Sequence, residues 1–205
     1  MTNEDLQVFR QLGVSSVVDL RSSAEVSHTG RGLLEREPLR FVNSPVLSDA
    51  ETEEPREESI FDASYLARRY LQYLDVGAPA FVMAIKEMTV PENYPLVFNC
   101  FLGKDRTGVL ASLVLSCLGV ECATIVEDYA LTHERMRLIT EKLRRDPIQR
   151  ETIDLTPPAL LAADEATMTS FLHEVDQRYG GARSWVESAG ITPEQVERLG
   201  DLVLE

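Results

Sequence analysis

The stretch YPLVFNCFLGKDRTGVLASLVLSCLGV, residues 94–120, constrains this chain more than any other. It opens on a short apolar run, YPLVF, which reads as a buried strand. It closes on a segment of helical length that is apolar almost all round, as a helix inside a core should be. Between them lies NCFLGKDRTG, a loop holding two glycines, a cysteine, a lysine and an arginine. A strand entering a helix through such a loop is a building block of α/β folds. At that junction the first backbone N–H groups of the helix have no partners, and the positive end of the helix dipole faces the loop. That geometry binds anions, phosphate above all.

The flanking sequence fits the same architecture. VSSVVDL, residues 14–20, is β-branched, apolar and short, and reads as a second buried strand. A helix over EDLQVFRQL precedes it, capped by Thr2 or Asn3 and stopped at Gly13. SIFDASYLARRYLQYLD carries helical apolar spacing through Tyr65, Tyr70 and Tyr73, which read as core tyrosines. PAFVMAIKEM is a further helix opened by Pro79 and broken by TVPEN. Strand, helices, strand, loop, helix implies parallel strands joined by crossovers. Residues 21–57 show less regularity, and DAETEEPREE within them reads as a solvated acidic loop. From about residue 121 only helices and linkers are expected. The last helix, TPEQVERLGDLVLE, carries a capping box of Thr192 and Gln195 with Pro193 at its first position. The 205 residues fit one domain.

Charge narrows the function. The chain holds 34 acidic residues against 20 basic ones, a net charge of −14. Such a surface repels nucleic acid and anionic headgroups, so neither a nucleic-acid partner nor stable membrane association is expected. An anionic substrate must be drawn in by a local positive site, and the 99–108 loop is the candidate. Cys100, Cys117 and Cys122 are too few for a disulfide framework and suggest a reducing compartment. The N-terminus MTNEDLQVFRQLG lacks the pattern of a signal peptide, and the longest apolar stretch, 109–120, is too short to span a bilayer. The expected location is the cytoplasm. His28, His133 and His173 are scattered without metal-ligand spacing, so no metal or other cofactor is expected.

Within the loop, five residues separate Cys100 from Arg106. A thiolate at the start and a guanidinium at the end can face one bound oxyanion. The helix dipole, Lys104 and Arg106 favour the thiolate at neutral pH. Arg106 can hold two phosphate oxygens in its planar fork. Thr107 places a hydroxyl near the sulfur, where it can stabilise the departing thiolate. A nucleotide-binding P-loop is ruled out by spacing: it needs Gly where Phe98 stands and Ser or Thr where Asp105 stands.

CFLGKDRTG resembles the Cys-x5-Arg signature loop of the protein tyrosine phosphatase superfamily, in the form used by the bacterial and fungal tyrosine/serine phosphatases. VVDLRSSAEV, IVEDYALT and the closing FLHEVDQRYGGARSWVESAGITPEQVERL also resemble that branch. The resemblance implies an α/β phosphatase fold with a largely parallel central sheet and a helical C-terminal part. It implies hydrolysis of phosphorylated proteins or small phosphomonoesters in two steps, through a cysteinyl-phosphate. Cys100 is then the nucleophile. Arg106 and the loop from Phe101 through Leu102, Gly103, Lys104 and Asp105 bind the phosphoryl oxygens. Asp105 is the general acid and then base, with Asp62 and Asp75 as the other candidates. Lys104 either adds charge for substrate or is simply solvated. Asp19 and Arg21, at the carboxyl end of the first strand, are expected to buttress the loop. Asp128, with Tyr129, matches the family's DY element and is expected to support the site from behind. Residues 130–165 are a candidate lid.

Two departures from the family pattern stand out. The usual His before the nucleophile is Asn99, which can donate hydrogen bonds but carries no charge, so slower catalysis of the same reaction is expected. The chain also begins at the family's first helix, so the expectation is either a truncated chain or one that lacks the edge strands that normally complete the sheet. Phosphoinositide or inositol phosphate hydrolysis, and non-catalytic phosphate binding, stand beside protein phosphatase activity as alternative readings.

Overall fold

A computed structural model of the protein describes residues 1–49 and 63–204. The first helix, α1 (Asn3–Gln11), begins at a capping box in which the Thr2 hydroxyl accepts from the Asp5 N–H and the Asp5 carboxylate accepts from the Thr2 N–H. Strand β1 (Ser16–Asp19) is buried along its whole length. Helix α2 (Ser23–Thr29) and a short 3-10 turn lead into β2 (Arg40–Asn43). Two helices, α3 (Ala63–Val76) and α4 (Ala78–Met88), then return the chain to β3 (Leu96–Asn99). Helix α5 (Asp105–Cys117) follows the loop. The remainder is helical: α6 (Cys122–Leu143), α7 (Pro147–Leu155), α8 (Pro158–Leu161), α9 (Glu165–Tyr179), α10 (Ala182–Ser188) and α11 (Pro193–Val203).

The described sheet has the order β2-β1-β3, and both pairings are parallel. This confirms the α/β class. Because all three strands point the same way, their carboxyl ends share one edge. Asp19 sits between Asn43 on one side and Asn99 on the other. The Cys100 loop therefore rises from a row of three polar side chains, at the edge where open α/β sheets place their ligands.

The core lies under this edge. Tyr70, Leu71 and Leu74 of α3 pack with Met168, Phe171 and Val175 of α9. Val109, Leu110 and Leu113 of α5 are wholly buried, as the apolar pattern predicted. Each such leucine or valine contributes about 1.5–3 kcal/mol by leaving water. Tyr70 also stacks on Tyr73 and meets the rings of Tyr129 and Phe171 edge-on, with centroids 5.9–6.2 Å apart. The rings anchor α3 between α6 and α9.

The segment after β1 corrects the sequence expectation. Within residues 21–57, read as less regular, the described part up to residue 49 holds a helix and a strand. β2 is only four residues long, RFVN, and lies between Pro38 and Pro45. Helix α2 buries no residue fully, so it has no apolar stripe to betray it. The acidic run from residue 50 onward and Asp62 lie outside the described residues.

Candidate active site

The loop between β3 and α5 forms a cradle of open backbone donors. Among the described residues, the backbone N–H groups of Phe101, Leu102, Gly103 and Lys104 donate to no carbonyl or side chain of the protein. Lys104 is the N-cap of α5 and its side chain makes no capping bond, so the helix start is also open. Gly103 adopts φ +69°, a left-handed conformation that a residue with a Cβ resists, and this turns the loop back toward the helix. Cys100 sits at the base of the cradle and is 7% exposed. Its reach to a ligand is thus from inside the loop rather than from the surface.

Below the cysteine, Asn99 takes the place of the usual histidine. Its Nδ2 donates to the Cys100 carbonyl at 3.1 Å and lies 3.4 Å from Asp19 Oδ1. Asp19 is in turn clamped by Arg21, whose Nε lies 2.9 Å from both carboxylate oxygens. Arg21 also donates to Thr29 and to the Gly30 carbonyl. Asn43 donates to the carbonyls of Asp19 and Arg21. Through Asn99, the Asp19–Arg21 pair is thus joined to the strand end that carries Cys100.

Arg106 is 8% exposed and held from the far side by a residue the sequence did not single out. Its two terminal nitrogens donate to the Glu25 carboxylate at 2.6 and 2.8 Å. Glu25 is fixed first by its own helix: the Ser22 N–H donates to it, and the Ser22 hydroxyl accepts from the Glu25 N–H. The Ser-x-x-Glu spacing of this capping box was the available signal. Burial works against the charge on both partners. Contact with Arg106 nevertheless holds Glu25 below the usual glutamate range. Contact with Glu25 and the charge of Cys100 keep Arg106 well above the already high guanidinium value. Arg106 is a fixed cation with one edge committed to Glu25.

Asp105, at the first turn of α5, is partly exposed, with its side chain at 22%. Tyr70 donates its hydroxyl proton to Asp105 Oδ1 at 2.7 Å, and the Tyr129 hydroxyl lies 2.7 Å from that of Tyr70. Lys104 Nζ lies 3.2 Å from the same Oδ1. Tyr70 is buried as the core residue expected, Tyr129 of the DY element is buried beside it, and their hydroxyls form a chain ending on Asp105. Burial first, and the nearby Asp105 charge second, push both phenols well above their ordinary value. Asp75, another candidate acid, instead accepts from Tyr179 at 3.1 Å.

Lys104 corrects the expectation that it might be solvated. Its side chain is wholly buried, and Nζ donates to the carbonyls of Leu160 and Ala162. With Asp105 these give the ammonium three acceptors for its three protons. The Thr107 hydroxyl is buried and makes no hydrogen bond among the described residues. Thr107 lines a cavity of about 80 Å³ together with Gly103, Gly108, Asp128 and Tyr129. Asp128 is otherwise exposed. Cys117 is buried in the core, which pushes its thiol up to about 11, while Cys122 is exposed.

Comparison with known proteins agrees with this geometry. The profile of the tyrosine phosphatase family matches residues 1–205. A tyrosine-protein phosphatase of Nostoc commune is 24% identical over 207 residues, covering 97% of this chain and 69% of the relative. The triple specificity protein phosphatase PtpB of Mycobacterium tuberculosis is 24% identical over 231 residues, covering 95% of this chain and 84% of the relative. With the family profile matched from end to end, the chain belongs to the tyrosine phosphatase family.

Proposed function

We propose that the protein hydrolyses phosphotyrosine in proteins through a cysteinyl-phosphate, with Cys100, Asp105 and Arg106 as the reacting and stabilising groups. One observation carries this reading. A cysteine lies at the base of a loop whose N–H groups are uncommitted, and an arginine in the first turn of the next helix is locked in place by Glu25. The Cys100 thiolate attacks phosphorus, and the bond to the tyrosyl oxygen breaks. The leaving oxygen takes the Asp105 proton. Water then attacks phosphorus, Asp105 takes back a proton, and the S–P bond breaks to return the thiolate and release phosphate. Arg106 and the N–H groups of residues 101–106 hold the equatorial oxygens through both steps.

Thr107, in this reading, stabilises the thiolate as it leaves. Lys104 acts from within the loop, adding positive charge beneath the phosphate without touching solvent. Residues 130–165 form the lid, joined to the loop where Lys104 meets Leu160 and Ala162. A phosphorylated protein or a small phosphomonoester is the partner. The cytoplasm is the proposed setting, since a thiol nucleophile must stay reduced. Among the described residues no helix is long and apolar enough to cross a membrane.

Activity should be measured on phosphotyrosyl, phosphoseryl and phosphothreonyl peptides and on phosphoinositides, with wild type and Cys100→Ser side by side. Highest turnover on the phosphotyrosyl peptide, abolished in Cys100→Ser, is the expected result. Preference for phosphoinositides would overturn the substrate assignment, and turnover surviving in Cys100→Ser would overturn the mechanism.

A further inference from the structure

The two oxygens of Asp105 are not equivalent. Oδ1 receives the Tyr70 hydroxyl at 2.7 Å and has the Lys104 ammonium 3.2 Å away. Oδ2 has no hydrogen-bond partner among the described residues. A proton placed on Oδ1 would point at an ammonium, which has no lone pair to accept it, and at a hydroxyl whose own proton already occupies that line. Oδ2 is therefore the oxygen on which a proton can sit and from which it can leave.

The donors at Oδ1 are themselves held. Tyr70 is fully buried between the rings of Tyr73, Tyr129 and Phe171, so its hydroxyl oxygen is held in place beside Asp105. With its one proton given to an ionised Asp105, Tyr70 accepts from Tyr129 at 2.7 Å. Tyr129 in turn lies against Gly108 of α5, where a Cβ would come within 2.9 Å of its ring. Lys104 is fixed by two backbone carbonyls. The carboxylate is thus gripped at one oxygen by groups that cannot follow it if it rotates.

We propose that Tyr70 is a positioning residue for proton transfer: it clamps Asp105 Oδ1, with Lys104 beside it, so that Oδ2 faces the leaving group and carries the proton. This deepens the function proposed above and rests on Asp105 being the general acid. Tyr70 itself neither gains nor loses a proton in the cycle. Its contribution is to hold the carboxyl in one of its two rotational states, with the protonated oxygen turned outward.

The test compares Tyr70→Phe, Asp105→Asn and Tyr70→Phe/Asp105→Asn on a series of aryl phosphates running from good to poor leaving groups. An acid matters most when the leaving oxygen is basic. Tyr70→Phe should therefore stay within about threefold of wild type on the best leaving group and lose about tenfold in kcat on the poorest, with KM little changed. It should add almost nothing to Asp105→Asn, because the clamp has no purpose without the acid. Tyr70→Phe leaves the buried Tyr129 hydroxyl without its partner. If it fails to fold, Tyr70→Phe/Tyr129→Phe removes both hydroxyls and carries the same expectation. A loss uniform across leaving groups, or one that adds fully to Asp105→Asn, overturns the proposal. If Asp105→Asn itself keeps the wild-type dependence on leaving group, the acid assignment fails and the clamp falls with it. That outcome is recognisable because it appears in the single Asp105 variant.

Discussion

Glu25 and Arg106, 81 residues apart in the chain, meet in a two-pronged ion pair at 2.6 and 2.8 Å. The carboxylate that caps α2 is thereby the same carboxylate that aims the guanidinium of the phosphate loop. The guanidinium is held by Glu25, and under the proposed function the nitrogen edge turned away from Glu25 is the one that takes phosphate oxygens. Glu25→Gln keeps the side chain's size but cannot accept along both prongs. It should lower kcat/KM for an aryl phosphate about tenfold, an effect of about 1.4 kcal/mol, and weaken inhibition by vanadate in parallel. Steady-state kinetics with a vanadate titration checks this. Unchanged constants would mean that the loop holds Arg106 without help.

The same pair carries a pH signature in stability. Glu25 has a folded-state pKa below its ordinary value, so its contribution is present above the ordinary glutamate range and is lost as pH falls through the lower folded value. Arg106 remains charged throughout. Urea unfolding of wild type and Glu25→Gln should therefore show a stability difference near neutrality that shrinks as pH falls from the ordinary glutamate range through the lower folded value. A difference that stays constant over that window would place the stabilisation elsewhere.

Lys104→Met removes the buried ammonium while keeping much of its volume. The carbonyls of Leu160 and Ala162 lose their donor, at a cost of about 1–3 kcal/mol if they remain buried. Amide exchange across residues 157–163 should speed up by more than it does in α5. Equal protection in the variant and wild type would show that this segment is held by other contacts, such as the burial of Ala163.

Gly108→Ala tests the approach of α6 to α5. Alanine in a helix interior favours folding by up to about 1 kcal/mol over glycine. Here the new Cβ would lie 2.9 and 3.1 Å from the Tyr129 ring, closer than side chains pack. The ring must move, and its hydroxyl is bonded to Tyr70. The variant should be less stable by about 1–2 kcal/mol in spite of the better helix former. A higher melting temperature would show that the Tyr129 ring gives way freely.

What was legible in the sequence was what lay contiguous. Cys100, Lys104, Asp105, Arg106 and Thr107 lie in one short stretch, so their spacing pointed to an anion site, and the resemblance of CFLGKDRTG to a known signature loop supplied the expected chemistry. The strand before and the helix after it were plain from apolar pattern. Glu25 was hidden because its helix shows solvent on most of its surface and its partner is 81 residues distant. Tyr70 read as core, and it is core; only the position of one hydroxyl, 35 residues from Asp105 in sequence, gives it more to do. For Lys104 the sequence left open a charge for substrate or a solvated side chain, because the carbonyls that bury it arrive 56 and 58 residues later. β2 escaped because four residues between prolines are too few to show alternation.

The central claim is that phosphate passes through the sulfur of Cys100. The most direct measurement is rapid acid quench of wild type and Cys100→Ser during turnover of a phosphotyrosyl peptide, followed by mass analysis of the protein. The account predicts one phosphoryl group on the peptide containing Cys100 in wild type, formed and lost at the rate of turnover, and none in Cys100→Ser. A phosphoryl group on another residue, or turnover without Cys100, would contradict it.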